Sequence, residues 1–138
     1  MADKSGFHTQ KGYELSNTSE ITTAMEDYLE MISRMLLKSE YARVNELAKN
    51  LNVKPSSASK MTAKLWQQDF IRFEHYGYIK LTEKGTEYGN YLLYRHDVLN
   101  RFLCYVNNSA DELEQVEKIE HFFNRQTIEN IDNLINRL

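Results

Sequence analysis

One cysteine, one proline and five glycines stand among the 138 residues. The lone Cys104 excludes an internal disulfide and fits a reducing cytoplasm, the compartment expected for this chain. The glycines form no rich loop of the kind that cradles phosphates. No apolar run approaches the ~20 residues that a membrane span needs, so no membrane partner is expected. Met1 to Glu20 is polar and lacks the apolar core of a signal peptide. Charge of one sign is missing too: the formal net charge of −3 argues against a general polyanion binder. What is there is ordinary for a globular protein, with 27% charged and 41% hydrophobic residues. The length suits one compact domain, or a small domain with a helical appendage.

The small net charge hides an asymmetry. Residues 1–37 carry 3 basic and 6 acidic side chains, residues 38–84 carry 9 and 5, and residues 85–138 carry 5 and 9. The middle third therefore suits phosphates, and the flanks suit cations. Met1 to about Thr22 has no sustained period and reads as a flexible arm over residues 1–22. Thr23 and Glu26 have capping-box spacing, and Met25, Tyr28, Leu29, Ile32, Met35 and Leu36 then recur at helical intervals to about Lys38. Tyr41 to Val53 predicts a short helix that buries Leu47, Ala48 and Leu51 and turns at Asn52. Pro55 opens a second helix to about Gln68, with Ala58, Met61 and Leu65 inward. Its first residues and outward face are Pro55, Ser56, Ser57, Ser59, Lys60 and Lys64, short hydroxyls and amines able to donate to phosphates or base edges.

Two short helices joined by a turn could belong to any bundle, but the continuation favours a DNA reader. Phe70–His75 and Tyr78–Leu81 alternate as strands about a Tyr76-Gly77 turn, and a helix-turn-helix followed by a hairpin is a winged helix. Arg72, His75, Tyr76 and Lys80 fall near the wing, within reach of phosphate or minor groove. Thr82 caps a long helix to about Val106 with a stripe of Leu92, His96, Leu99, Leu103 and Val106. His96 in that stripe is either a hydrogen-bonded core residue or an inward metal ligand. Cys104 lies on another face and reads as packing, and Tyr88, Tyr91, Tyr94 and Tyr105 read as filling a helical interface. Ser109 and Glu112 form a further capping box before a helix with Leu113, Val116, Ile119 and Phe123 inward. Asn124 caps a last helix whose stripe of Ile128, Ile131, Ile135 and Leu138 is apolar enough to suggest a second subunit.

Two clusters carry ligand chemistry. Glu117, Glu120 and His121 emerge from one helical face a turn apart, and Asp27 and Glu30 form a second carboxylate pair at i and i+3. Each alone reads as a solvated acidic face. Together they offer hard oxygen and nitrogen donors suited to a divalent cation.

Several segments in order resemble the manganese-transport-regulator branch of the diphtheria-toxin-repressor family: Met25-Glu26-Asp27-Tyr28-Leu29-Glu30, Tyr41-Ala42-Arg43-Val44, Pro55-Ser56-Ser57 with Lys60-Met61, Leu81-Thr82 with Lys84-Gly85, Tyr94-Arg95-His96, and Val116 to His121. The resemblance covers residues 22 to 138. It implies a mainly α fold, with a winged helix-turn-helix domain bearing a small β-hairpin wing at residues 23–84 and a helical metal-binding and dimerisation domain at 85–138. It also implies a homodimer on a double-stranded DNA operator. The matched metal positions are Asp27, Glu30, His96, Glu117, Glu120 and His121, expected to hold two Mn²⁺ per subunit, with Fe²⁺, Co²⁺, Cd²⁺ or Zn²⁺ as substitutes and no small organic cofactor. One cation falls to the Asp27, His96 and Glu120 positions and the other to His121, with Glu30 and Glu117 shared. Iron-sensing relatives carry methionine and cysteine at the Asp27 and Glu117 positions; all-carboxylate donors suit Mn²⁺ better. No SH3-like third domain is expected, and the N-terminal arm departs from the compact members of the branch. The function so implied is metal-dependent repression of manganese-uptake genes. Two rivals stand beside it: a winged-helix regulator blind to metal, and a two-metal hydrolase. All six donors are consumed in holding metal and none is left as a general acid, so the chain is expected not to be an enzyme.

Overall fold

The computed structural model describes Thr9 and residues 21–138, so all but the last two residues and Thr9 of the expected arm lie outside the described residues. Ile21 packs against the core, and Thr22 caps the first helix, its hydroxyl accepting from the Met25 amide at 3.2 Å. The cap is thus one residue earlier than the Thr23–Glu26 spacing suggested. Glu26 cannot close a capping box because its carboxylate turns inward and is buried. Helix α1 runs Thr23–Lys38 and buries Met25, Tyr28, Leu29 and Ile32.

Helix α2 (Val44–Leu51) ends where Asn52 adopts a left-handed conformation, φ 56° and ψ 47°, a geometry asparagine tolerates better than most residues. Helix α3 follows at Pro55–Gln67, with proline in its first turn. Ala58, Thr62 and Leu65 are its buried residues, and Met61 is half-buried. The Thr62 hydroxyl enters the interior because it donates to the Ala58 carbonyl at 2.9 Å.

Strands β1 (Ile71–Phe73) and β2 (Ile79–Leu81) pair antiparallel with Arg72 opposite Lys80. Ala42 bridges to Ile79, which ties the hairpin to the chain before α2. The hairpin tip is a short 3-10 turn at His75–Gly77 with Tyr76 at φ 65°. Thr82 caps helix α4 (Glu83–Asn107), accepting from the Gly85 amide at 2.9 Å. Gly85 and Gly89 are required by close approach: a Cβ would overlap the Phe70 carbonyl at the first and the Ser33 hydroxyl at the second.

Helix α5 covers Leu113–Ile119, passes into a 3-10 turn at Glu120–Phe122, and leads to α6 (Arg125–Ile135), capped by Asn124. Two cores result. The larger unites α1, α2, α3, the hairpin and the start of α4, and the smaller joins Val98 and Leu99 to Val116 and Ile128. Three inward expectations are corrected here. Val106 at 59%, Leu113 at 45% and Leu138 at 66% are exposed, because α4 outruns the smaller core, Leu113 opens α5 at its edge, and Leu138 lies beyond the end of α6. The Ser109–Glu112 box does not form either. The Ser109 hydroxyl donates to the Glu112 carboxylate, while the Glu112 amide donates to Asn100, so the helix starts at Leu113.

Candidate metal centre and DNA-reading face

Three elements bring the acidic clusters together. On α1, Asp27 and Glu30 are a turn apart, yet their surroundings differ: Glu30 is 5% exposed and Asp27 only half-buried. The solvated-face reading fails at Glu30, which lies beneath α4. His96 comes from the buried face of α4, and Glu117, Glu120 and His121 come from α5 and the 3-10 turn after it.

The tightening at that turn divides the last three. His96 Nδ1 lies 3.3 Å from Glu117 Oε1, 3.2 Å from Glu120 Oε2 and 3.8 Å from Glu30 Oε2. His121 departs to the other side, its Nε2 2.8 Å from Asp27 Oδ1. Two groups of convergent donors follow, Glu30–His96–Glu117–Glu120 and Asp27–Glu120–His121, each with ligand atoms within 4.8 Å of one another. The pairing differs from the one the resemblance implies. Asp27 stands with His121 rather than His96, and Glu120 is the shared carboxylate, because one turn of α1 separates Asp27 from Glu30 and aims them at different neighbours.

Burial and like charge set the electrostatics. Burial, then the neighbouring Glu120 and Glu117 carboxylates, push Glu30 up to about 8. Hydrogen bonds to Glu117 and Glu120 raise His96 to about 9 against the opposing effect of burial, and Glu117 is lowered by the same contact. Burial likewise opposes the charged form of His121, but its bonds to Asp27 and Glu26 prevail and raise it to about 10. Without a cation the site is held together by protons. Two buried carboxylate oxygens, Glu30 Oε1 and Glu120 Oε1, accept no hydrogen bond, although the Arg95 guanidinium stands 3.7 Å from the second as an ion-pair partner. A hard divalent cation would satisfy both, and the oxygen and nitrogen donors match its chemistry.

Glu26, Tyr88 and Arg95 escaped the sequence reading. Arg95 is 2% exposed and reaches both Glu26 oxygens, at 3.3 and 3.4 Å, while the Tyr88 hydroxyl donates to Glu26 at 2.7 Å. The only sequence signal was adjacency, Glu26 beside Asp27 and Arg95 beside His96. Of the other tyrosines, Tyr91 lies under Arg125 and Tyr94 bonds Asp132, whereas Tyr105 is exposed. Cys104 packs beside Asn100, away from the site.

The profile of the iron dependent repressor N-terminal DNA binding domain matches residues 20–79, and that of the family's metal binding and dimerisation domain matches residues 82–138. The chain belongs to the iron dependent repressor family. It is 38% identical over 115 residues to the HTH-type transcriptional regulator MntR of Geobacillus kaustophilus, covering 83% of this chain and 82% of that protein. Identity to MntR of Bacillus subtilis is 37% over the same length, covering 81% of that protein. Among solved structures, that of the manganese regulator SloR superposes with a TM-score of 0.72 at 25% identity over 81% of this chain; the match spans only 53% of the SloR chain. The chain is therefore a metal-dependent, DNA-binding transcriptional repressor whose carboxy-terminal half is a dimerisation domain.

The residues expected to read DNA lie on α3 and the hairpin. Pro55, Ser56, Ser57, Ser59, Lys60 and Lys64 are all exposed along α3. On the wing Arg72, His75 and Tyr76 are exposed, Tyr76 at 89%. Lys80 is more confined: its amine donates to the Glu40 carbonyl at 2.7 Å and lies over the Tyr41 ring. Arg43 braces the wing from behind through the Tyr78 hydroxyl at 2.6 Å.

Proposed function

We propose that this protein is a manganese-responsive repressor of metal-uptake genes, acting in the cytoplasm as a homodimer on a palindromic operator. Two Mn²⁺ ions per subunit are taken by Asp27, Glu30, His96, Glu117, Glu120 and His121, with Fe²⁺, Co²⁺, Cd²⁺ or Zn²⁺ as possible substitutes. The convergence of sulfur-free donors from α1, α4 and the α5 turn, with the buried Glu30 Oε1 and Glu120 Oε1 accepting no hydrogen bond, is the observation that carries this reading. The likeness to a structure named as a manganese regulator supports it.

A bound divalent cation supplies positive charge and directional bonds to oxygen and nitrogen. Glu30 and Asp27 stand on the helix that underlies the DNA reader, whereas Glu117, Glu120 and His121 stand in the segment that leads into α6. Neutralised, these carboxylates no longer repel one another across that junction. The α5 turn is then held against α1, and two α3 helices of a dimer keep the one-turn separation that a palindrome demands. Lys60, Lys64 and Arg72 contact phosphates, and Ser56, Ser57 and Ser59 approach base edges. DNA affinity rises because less ordering remains to be done on binding.

The test is operator binding at fixed salt with Mn²⁺ titrated against a chelator, since phosphate contacts make affinity salt-dependent. Mn²⁺ should tighten binding at least ten-fold, about 1.4 kcal/mol, and the chelator should reverse it. Equal affinity in chelator would instead favour a regulator blind to metal.

A further inference from the structure

The buried Glu26–Arg95 pair belongs to neither donor group, yet it touches the second one directly. Glu26 Oε1 lies 2.8 Å from His121 Nδ1, and His121 Nε2 faces Asp27 on the opposite side of the ring. Each Glu26 oxygen has two neighbours: Oε1 receives Arg95 and His121, and Oε2 receives Tyr88 and Arg95. Such a carboxylate has no free lone pair aimed at a cation and is not in either donor group. It can only accept, so the short contact requires a proton on His121 Nδ1. Arg95 also approaches Nδ1 at 3.3 Å, but a guanidinium offers donors alone, so the two groups are neighbours on one carboxylate rather than bonded to each other.

We propose that Glu26 is the positioning residue of the second cation half-site: it keeps the His121 proton on Nδ1 and turns Nε2 toward Asp27 and Glu120, with Arg95 and Tyr88 fixing the carboxylate. A cation held at Nε2 would take the place of the Nε2 proton, which would leave to solvent, while the other proton would remain on His121 Nδ1, donated to Glu26. Carboxylates behind a ligating histidine act in this way generally, and their loss lowers metal affinity about 10–100-fold. Burial explains the anchors. An ionised carboxylate in the interior needs paired charge, and Arg95, with a 3% exposed side chain against the 9% of Glu26, supplies it. The inference rests on the reading that these donors hold cations.

Full-length protein should be titrated with Mn²⁺ by electron paramagnetic resonance of the free ion, and ¹⁵N-histidine spectra recorded with Cd²⁺ as a diamagnetic probe. Wild type is expected to take two ions per subunit with His121 ligating through Nε2. Glu26→Gln should keep the ion of the His96 group and weaken the second at least ten-fold, with His121 no longer held in a single ring orientation. A purely structural role would lower the melting temperature and weaken both ions alike. Should Glu26→Gln fail to fold, Tyr88→Phe removes one of the bonds that fix the Glu26 carboxylate, leaves Arg95 beside Glu120, and is expected to weaken the second ion alone. Two ions bound with unchanged affinity in the folded variant would overturn the role of Glu26 and leave the metal reading standing. A wild type that binds no Mn²⁺ would sink both.

Discussion

At the scale of single residues the site is governed by protons competing with a cation. Glu30, His96 and His121 all have raised values in the metal-free fold, so all three favour their protonated forms there. For Glu30 this means a cost of folding that grows from pH 4.5 to about 8. For the histidines it means stability that is complete below 6.5 and lost as pH rises through about 9 and about 10. The signs agree, so metal-free protein should lose stability as pH rises across this range. A cation must displace these protons, and its affinity rises over the same window. The increase in melting temperature caused by Mn²⁺ is therefore expected to be larger at about pH 8.5 than at about pH 6, as scanning calorimetry can check; equal increments would count against the assignment of the histidines. His96→Ala should abolish the Mn²⁺ dependence of operator binding while leaving the weak basal affinity intact. If the Mn²⁺ response survives that change, His96 is a core residue and nothing more.

At the scale of elements, the winged helix depends on close approach of backbones as much as on apolar burial. Gly85 lets the first turn of α4 lie on the Phe70 carbonyl beside Leu81, at the point where the hairpin meets the long helix. Gly85→Ala is expected to cost about 1–3 kcal/mol, the range for overpacking a filled interior, and to appear as a lower denaturant midpoint with little change in slope. The recognition helix is a different matter. Lys60 and Lys64 are exposed and α3 holds its shape through Ala58, Thr62 and Leu65. Replacing either lysine by alanine should leave stability alone, weaken binding to all DNA sequences alike and reduce the salt slope by about one. A sequence-selective loss would instead mean that the lysine reads a base.

At the scale of the molecule, a second subunit needs an apolar face, and the end of the chain offers one. Ile128 is fully buried and Ile131 and Ile135 pack on the smaller core, so the stripe expected to meet a partner is largely used within the subunit. Leu134 in the last turn of α6 and Leu138 three residues beyond its end remain exposed, at 44% and 66%, and Phe122 is exposed at 56%. Leu134→Asp is expected to shift sedimentation toward the monomer and to lower operator affinity even with Mn²⁺ present, because two half-sites are then read independently. An unchanged dimer would move the interface away from α6.

Much of this was legible in the chain itself. Helical periods located α1, α3 and α4; Pro55 and Asn52 marked the turn between the reading helices, and alternation marked the hairpin. These signals are local, set by which residues recur every 3.6 or 2 positions and which tolerate a tight turn. The six candidate donors could be proposed because each stands beside a recognisable neighbour in the sequence, and the fold brings them into two groups. Their grouping was not, since it depends on α1 lying under α4 and on α5 tightening into a 3-10 turn at Glu120. Glu26 and Arg95 are 69 residues apart and became partners only through that packing. Composition decided that the chain could build a helical core and a basic reading face. The tertiary structure alone decided which carboxylates were buried, and burial turns a solvated acidic side chain into one that must find a proton, an arginine or a metal.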